Sequence, residues 1–331
     1  MDRENIMEQT VSITDEQTLN KRKKQKRMNK MKDHLFVAAI VSWPLILFAI
    51  FWVGGNITNI MMAFQEYNLD TGKFDFLPLK DLFYNFEDFI NDFTGTEKGP
   101  MMEMVGRSVF FWAFSLITLL PRLLVAFCIH KGIRGAEVFK VLLFLPQIIS
   151  SVVWCLLFRM FIEYGLPEIT EGFGVTMEKS IFMMPDKVFI TLILYGEWMG
   201  FAGALVINTG TMSRIPPELV EAGKLDGMTT WQEFWFITLP FVYGMVTISV
   251  YTSFIWIFTG QPNIYTFYGD SAPGNVYTLG YYFFVMIFGK NASMAMYPYS
   301  SAASLVMTAL VAPVTMLARW LFEKFGPTVE S

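Results

Sequence analysis

The sequence predicts an all-α protein that crosses a membrane with about six helices. Hydrophobic residues make up 53% of the 331 residues, charged residues only 16%, and the mean hydropathy is +0.42. A soluble domain is about 45–50% apolar and about 25% charged. Here the apolar excess is concentrated in blocks long enough to cross a bilayer core. A soluble enzyme, a disulfide-stabilised secreted scaffold and a disordered protein are therefore excluded.

The apolar blocks fall in six places along the chain. They are Leu35–Gly54 (with apolar residues continuing to Phe64), Ser108–Ile129, Val138–Phe158, Val188–Met212, Phe241–Phe258 and Ser301–Phe322. The blocks divide the chain into a basic cytoplasmic tail (1–34), a first transmembrane helix (35–64), an extracytoplasmic loop with an amphipathic helix (65–106), a five-helix core (107–325) and a short C-terminal tail (326–331). The core contains one long inner loop, 213–240.

Basic residues set the orientation of the spans, because cytoplasmic segments carry an excess of Lys and Arg. The N-terminal tail holds a dense basic run at Lys21–Arg27, and the short inner loops are richer in Lys and Arg than the outer loops. We therefore expect both termini in the cytoplasm. The run is interpreted as a topology signal, with binding to anionic lipid headgroups as the alternative.

In the outer loop, apolar residues recur at spacings of three and four, as on one face of an amphipathic helix. They are Leu79, Leu82, Phe83, Phe86, Phe89, Ile90 and Phe93, with acidic residues between them. We expect this helix to pack on the protein's own outer surface or at the membrane interface. Contact with an external partner is the alternative.

Charge, cysteine and histidine content argue against several kinds of site. The net charge of −4 argues against nucleic-acid binding, which usually needs a basic surplus. Cys128 and Cys155 both lie in apolar blocks and form neither a disulfide framework nor a zinc site. His34 and His130 are far apart in the chain, so we expect no metal centre. No His cluster, paired aspartate motif or nucleophile elbow occurs, so we expect no catalytic residues.

Two charged side chains inside the apolar blocks need an explanation. Glu197 lies deep inside the fourth block, where a carboxylate is costly and usually faces a cavity or a partner charge. It either lines a pathway or pairs with another span, with a proton relay as a third role. Arg122 lies nearer the cytoplasmic end of the second block, and we expect its guanidinium to snorkel to that surface.

The inner loop, from Ile215 to Pro240, reads IPPELVEAGKLDGMTTWQEFWFITLP and predicts two short helices. Pro217 suits a first helical position, and Gly227 suits the left-handed position just past a helix end. Thr230 and Glu233 have capping-box spacing for the second helix, and Pro240 then opens the fifth span. The loop is therefore rigid. It is either a connector without a partner or a surface on which another protein docks.

The same run resembles the EAA coupling motif of bacterial ABC importer permeases. The matching positions are Glu221, Ala222, Gly223, Gly227, Ile237, Leu239 and Pro240, with Gly223 standing where a second alanine is usual. LPQIIS from Leu145, Trp198, YTLGYYFF from Tyr277 and YPYSSAAS from Tyr297 extend the resemblance to the carbohydrate-uptake permeases that are similar to the larger maltose transporter permease.

This resemblance implies a type I importer permease fold in a bacterial plasma membrane. The implied partners are a second permease, two cytoplasmic ATPase subunits and an extracytoplasmic solute-binding protein. The chain has no G-x-x-x-x-G-K-[ST] phosphate loop, so it binds no cofactor itself and ATP is used by the partner ATPase. The residues implied for coupling to that ATPase are Glu221, Ala222, Gly223, Asp226 and Gly227.

The resemblance also implies that the fourth and fifth spans line the substrate path. By position, the path residues are Gly196, Met199, Gly200, Gly203, Ser253, Trp256, Ile257 and Gly260, with Glu197 as an additional candidate. Gly196, Ile257 and Gly260 replace family asparagines, so part of the polar lining for sugar hydroxyls is missing. The solute is either a carbohydrate, with an oligosaccharide expected, or a non-sugar or modified glycan. An intramembrane enzyme and a homodimer of this permease remain open.

Overall fold

The computed structural model describes residues 28–95, 100–176, 181–261 and 263–327. They form helices and one short hairpin. In chain order the elements are α1 Met28–Met62, β1 Gln65–Asn68, β2 Lys73–Phe76, α2 Tyr84–Thr94, α3 Pro100–Ile117, α4 Leu119–His130, α5 Ala136–Ile148, α6 Ser151–Met160, α7 Leu166–Gly172, α8 Pro185–Met212, α9 Pro217–Leu225, α10 Thr230–Glu233, α11 Leu239–Thr259, α12 Ile264–Tyr268, α13 Leu279–Phe288 and α14 Tyr297–Phe325.

Within the described residues, five helical stretches are long and apolar enough to cross a membrane, and a bent pair of helices would make six. The stretches are Met28–Met62, Met101–His130, Lys187–Met212, Thr230–Tyr268 and Met294–Phe325, and the bent pair is Ala136–Ile148 with Ser151–Gly172. The prediction of an all-α fold with about six spans is confirmed.

The chain divides into two units, the first of which ends within α1, at Met61. With 35 residues, α1 is about 52 Å long at 1.5 Å per residue. It contains a π-helical turn at Phe48–Val53 and begins before Leu35, so the end of the predicted tail is helical. The basic run Lys21–Arg27 lies outside the described residues.

The third predicted span, Val138–Phe158, corresponds to a bent pair of helices rather than to one continuous helix. Helices α5 and α6 meet at an angle of 113°, through extended backbone at Ile149 and Ser150. Pro146 weakens the last turn of α5, because proline has no N–H to donate to the carbonyl four residues earlier. Helix α6 then continues through a π-helical turn into α7, beyond the predicted end.

A β-hairpin that the apolar periodicity did not predict opens the outer loop. Strands β1 and β2 pair antiparallel across a short turn in which Gly72 takes φ +64°. The side-chain oxygen of Asn68 accepts hydrogen bonds from the backbone N–H groups of Asp70 and Thr71. Such an Asx-type turn fixes the hairpin locally, and Phe74 of β2 also stacks on Tyr297 at the start of α14.

The amphipathic helix of the outer loop is α2, which begins at Tyr84 rather than near Leu79. Leu79 precedes the helix and is 92% exposed. Phe89 is 1% exposed and packs edge-to-face on Tyr299 of α14, whose hydroxyl donates to Asp92 at 2.8 Å. The helix therefore packs on the protein itself, as the first of its two interpretations expected.

The end of α11 and the start of α13 cross at backbone contact distance. A Cβ at Gly280 would lie 2.5 Å from the carbonyl oxygen of Thr259 and 2.6 Å from that of Gly260. The hydroxyl of Thr278 donates to the same Gly260 carbonyl at 2.9 Å. Because backbone atoms cannot move aside cheaply, this crossing requires glycine at position 280.

Gly280→Ala should therefore lower the thermal stability of the purified protein in detergent by about 1–3 kcal/mol, the usual cost of overpacking. The matched control is Gly210→Ala in α8, where a Cβ would meet open space. The measurement is the midpoint of thermal unfolding. Equal midpoints for the two variants would contradict the tight crossing.

Candidate functional site

The inner loop holds one short helix, α9, with a defined start and end. Pro217 occupies the first helical position, and Gly227 takes φ +78° just past the end, as predicted. The residues implied for coupling lie together on this helix and its end, half-buried at Gly223 and exposed at Glu221, Ala222, Asp226 and Gly227. The helix thus exposes most of the motif on its surface.

The chain after α9 folds back on the helix in a hydrogen-bonded cap. The N–H of Met228 donates to the carbonyl of Gly223 at 2.9 Å, and the N–H of Gly227 donates to that of Lys224 at 3.1 Å. This pair of bonds defines a Schellman motif. A Cβ on Gly223 would lie 2.1 Å from Cε of Met228. The glycine that replaces the usual alanine therefore leaves room for Met228.

The helix that follows the turn is capped one residue earlier than expected. The N-cap is Thr229, whose Oγ1 accepts from the N–H of Gln232 at 3.3 Å, while Gln232 Oε1 accepts from the N–H of Thr229 at 2.8 Å. The pair Thr230 and Glu233 has the same spacing. However, the Glu233 carboxylate is buried and bound to Lys131, so the predicted capping is wrong.

The second helix of the loop is not separate from the fifth span. Helix α10 passes through a π-helical turn at Phe234–Thr238 directly into α11, so Pro240 lies inside a continuous helix. The π turn accommodates the missing N–H of Pro240. The inner loop therefore contains one separate short helix, α9, and not the two that were expected. A capped turn joins α9 to α10, which is the start of the fifth span.

A cavity of about 320 Å³ lies behind α9. Val220, Glu221 and Lys224 of α9 line one part of it, and Lys131 and Glu233 line another. The inner side of α9 thus faces polar space rather than a tightly packed apolar core.

An ion pair joins two of the apolar helices. Arg122 Nη2 on α4 lies 2.5 Å from Glu197 Oε2 on α8, and each side chain is 14% exposed. Gly200 leaves room for the guanidinium, since a Cβ there would lie 2.8 Å from Nη2, and the Phe201 ring centroid lies 5.7 Å from Cζ. Glu197 therefore pairs with another span, and the expected snorkelling of Arg122 is wrong because its charge is neutralised inside the bundle.

The other candidate path residues on α8 have different neighbours. A Cβ at Gly196 would meet open space, and one at Gly203 would lie 3.5 Å from Nε2 of Gln147. Met199 packs against the buried cluster that contains Cys155 and Tyr195. Along α8, therefore, Met199 contributes to packing, whereas Gly203 makes space beside a polar side chain.

The candidate path residues on α11 are divided between packing and exposure. The Oγ of Ser253 accepts a hydrogen bond of 2.9 Å from the indole N–H of Trp112 on α3. Trp256 is 66% exposed and Ile257 is half-buried. Gly260 is buried at the crossing with α13, so its small size serves that contact. Among these four residues, Trp256 is the one available to stack on a ligand.

Several polar partners of these residues were missed by sequence reasoning. Gln147 is an amide inside an apolar block, the same kind of signal that pointed to Glu197, and it could have been found. Lys131 lies just beyond the second block, two residues after Ile129, where a basic residue is interpreted as a topology signal. Trp112 lies among other aromatic residues, and nothing in its spacing indicated Ser253 as a partner.

The charged side chains of the candidate site form ion pairs between helices. Within the described residues, no group of three or more His, Cys, Asp or Glu side chains could hold a metal ion. Arg122 is bound to Glu197, and Lys131 is bound to Glu233. Such pairs fix one helix against another.

Known proteins match the chain over most of its length. A family model described as "Binding-protein-dependent transport system inner membrane component" matches residues 122–331. The multiple sugar-binding transport system permease protein MsmF of Streptococcus mutans is 24% identical over 85% of this chain and 93% of its own length. The maltose/maltodextrin transport system permease protein MalF of Escherichia coli is 30% identical over 46% of this chain, which spans 31% of that protein.

The fold also matches a solved transporter. The crystal structure of a bacterial alginate ABC transporter in complex with an alginate pentasaccharide-bound periplasmic protein superposes with a TM-score of 0.70. The match has 16% sequence identity and covers 90% of this chain and 97% of the matched chain. The likeness confirms the fold expected from the resemblance.

Proposed function

The chain belongs to the family of binding-protein-dependent transport system inner membrane components, and from this premise we propose that it is the membrane-spanning permease subunit of an ATP-driven bacterial importer. With a second permease it forms the path for a carbohydrate. Relatives named for multiple sugars and for maltodextrins support this solute class, and an oligosaccharide is the proposed form.

The observation that carries the mechanism is the capped, exposed helix α9. A rigid helix end transmits a displacement that a flexible loop would absorb. In the proposed mechanism, α9 docks on a cytoplasmic ATPase through Glu221, Ala222, Gly223, Asp226 and Gly227. Closure of the ATPase on ATP shifts α9 and thereby biases the spans between two states. ATP itself is bound by the partner.

The proposed assembly contains this chain, a different second permease, two ATPase subunits and an extracytoplasmic solute-binding protein. The matched alginate transporter was crystallised with a periplasmic protein, which supports the last of these partners. Both termini of this chain lie in the cytoplasm of the proposed topology. The outer surface, which includes the hairpin and α2, then faces the binding protein.

The proposed path runs beside α8 and α11, and its lining favours a second candidate solute as well. Gly196, Gly203 and Ile257 carry no side-chain polar group that could form hydrogen bonds with sugar hydroxyls. Trp256 can stack on the apolar face of a sugar ring. A lining with few polar side chains and one exposed tryptophan fits an oligosaccharide whose hydroxyl groups are bound mainly by the companion permease. It also fits a modified glycan or a non-sugar solute of similar size.

The test is purification of the native complex through a tag on this chain, followed by reconstitution in liposomes. We expect a nucleotide-hydrolysing subunit and a second permease to co-purify. Uptake of an oligosaccharide should require ATP and the solute-binding protein, and it should exceed uptake of a phosphodiester control. Purification of the chain without any nucleotide-hydrolysing subunit would contradict the proposal.

A further inference from the structure

An ion pair between Lys131, whose side chain is 24% exposed, and the buried Glu233 joins the end of α4 to the start of the fifth span. Nζ of Lys131 lies 2.8 Å from both carboxylate oxygens of Glu233, whose side chain is 7% exposed. Beside the pair, the rings of Phe127 and Phe234 meet with centroids 5.3 Å apart, and Phe234 is fully buried. An ion pair and an aromatic contact therefore lie side by side, and both join α4 to the residues just before the fifth span.

The geometry makes this pair a strong constraint. Removing Lys131 leaves the buried Glu233 carboxylate without a compensating charge, which is more costly than losing an exposed pair. The pair Arg319–Glu323 is of the exposed kind, with both side chains more than half accessible and only one helical turn apart. Lys131–Glu233 instead joins residues distant in the chain, so it fixes one helix against another.

The position of Glu233 relates the pair to coupling. Glu233 lies between the capped turn after α9 and the π-helical turn that leads into α11. A displacement of α9 therefore reaches Glu233 before it reaches the membrane span. The pair also lines the cavity behind α9, so Lys131 lies close to the element that moves.

A second ion pair, farther from the end of α4, joins this helix to α8. In this pair, Arg122 of α4 is bound to Glu197 of α8 within the bundle. Apolar side chains of α4 and α8, among them Leu123 and Leu205, pack in one buried cluster. A movement passed to α4 at its cytoplasmic end is therefore carried to α8 as well.

We propose that Lys131 and Glu233 are positioning residues of the coupling machinery. The pair makes a displacement of α9 move α4 together with α11, so that three spans respond to one docked helix. This inference rests on the proposed function, since it assigns a force path within an ATP-driven permease. It predicts that breaking the pair separates ATP hydrolysis from transport.

The experiment measures solute uptake and ATP hydrolysis in the same proteoliposomes, with the complete native complex. For Lys131→Met and Glu233→Gln we expect the solute transported per ATP hydrolysed to fall about tenfold, within the usual range of coupling between sites. The charge exchange Lys131→Glu with Glu233→Lys should restore most of that ratio. Arg319→Met with Glu323→Gln, which removes the exposed pair, should leave the ratio unchanged.

A purely structural role would reduce the amount of assembled complex but not the ratio of transport to hydrolysis. Unchanged ratios in the single variants would therefore overturn the inference. If those variants do not assemble, Glu233→Asp decides, because it keeps the charge and shortens the side chain. A lowered ratio in Glu233→Asp supports the inference, and a wild-type ratio overturns it. Absence of ATP-dependent uptake in the wild type would instead contradict the proposed function.

Discussion

Gly227→Pro should abolish ATP-dependent uptake while the protein remains in the membrane and retains its spans. Gly227 takes φ +78°, whereas proline is held near φ −65°. Proline also removes the N–H that donates to the carbonyl of Lys224 in the Schellman motif. The turn between α9 and α10 must then open, so that displacement of α9 no longer reaches the fifth span. We expect uptake to fall by more than about tenfold.

The matched control is Gly174→Pro in the turn after α7. Gly174 takes φ +81° and its N–H donates to the carbonyl of Glu171 at 2.9 Å, so the local disruption is the same. It lies outside the inner loop, and uptake should be preserved. Gly227→Asn should retain most activity, because asparagine tolerates the left-handed region. Normal uptake by Gly227→Pro would refute the role of this turn.

Local rules explain why the start and end of α9 could be predicted from sequence. Proline at a first helical position and glycine just past a helix end depend on φ alone, and Pro217 and Gly227 obey them. The helix cap after the turn was predicted in the wrong register because Thr229 with Gln232 and Thr230 with Glu233 fit the same spacing. The tertiary contact of Glu233 with Lys131 decided between them.

Longer-range features could not be obtained in this way. Hydropathy locates the apolar blocks, but it does not report the 113° angle between α5 and α6. The partner of Arg122 lies on another helix, so the spacing of residues around Arg122 gave no indication of Glu197. The crossing at Gly280 likewise depends on the backbone of residues in α11. In each case, the sequence pattern does not indicate which helices are neighbours in the fold.

Breaking the Arg122–Glu197 pair from one side should give the second large effect. Glu197→Gln leaves the guanidinium without its carboxylate, and Arg122→Met leaves the carboxylate without its cation. Removal of one partner of a buried pair costs about 3–5 kcal/mol. We expect both variants to have a markedly lower midpoint of thermal unfolding, measured on the purified complex in detergent.

The double variant, Arg122→Met with Glu197→Gln, removes both charges and should recover most of the lost stability, because no unpaired charge remains in the bundle. Arg319→Met, which breaks an exposed pair, is the control and should leave the midpoint unchanged. Single variants as stable as the wild type would show that the pair does not constrain α4 against α8.

The double variant also decides between the two roles open to Glu197. If the carboxylate serves only to hold α8 against α4, uptake should recover together with stability, since packing around Gly200 and Phe201 is kept. If it also lines the path, stability should recover while the KM for the solute stays raised, because the contact between the carboxylate and the solute is gone. The test therefore compares KM and unfolding midpoint in one protein, and a shared recovery of both assigns Glu197 to structure alone.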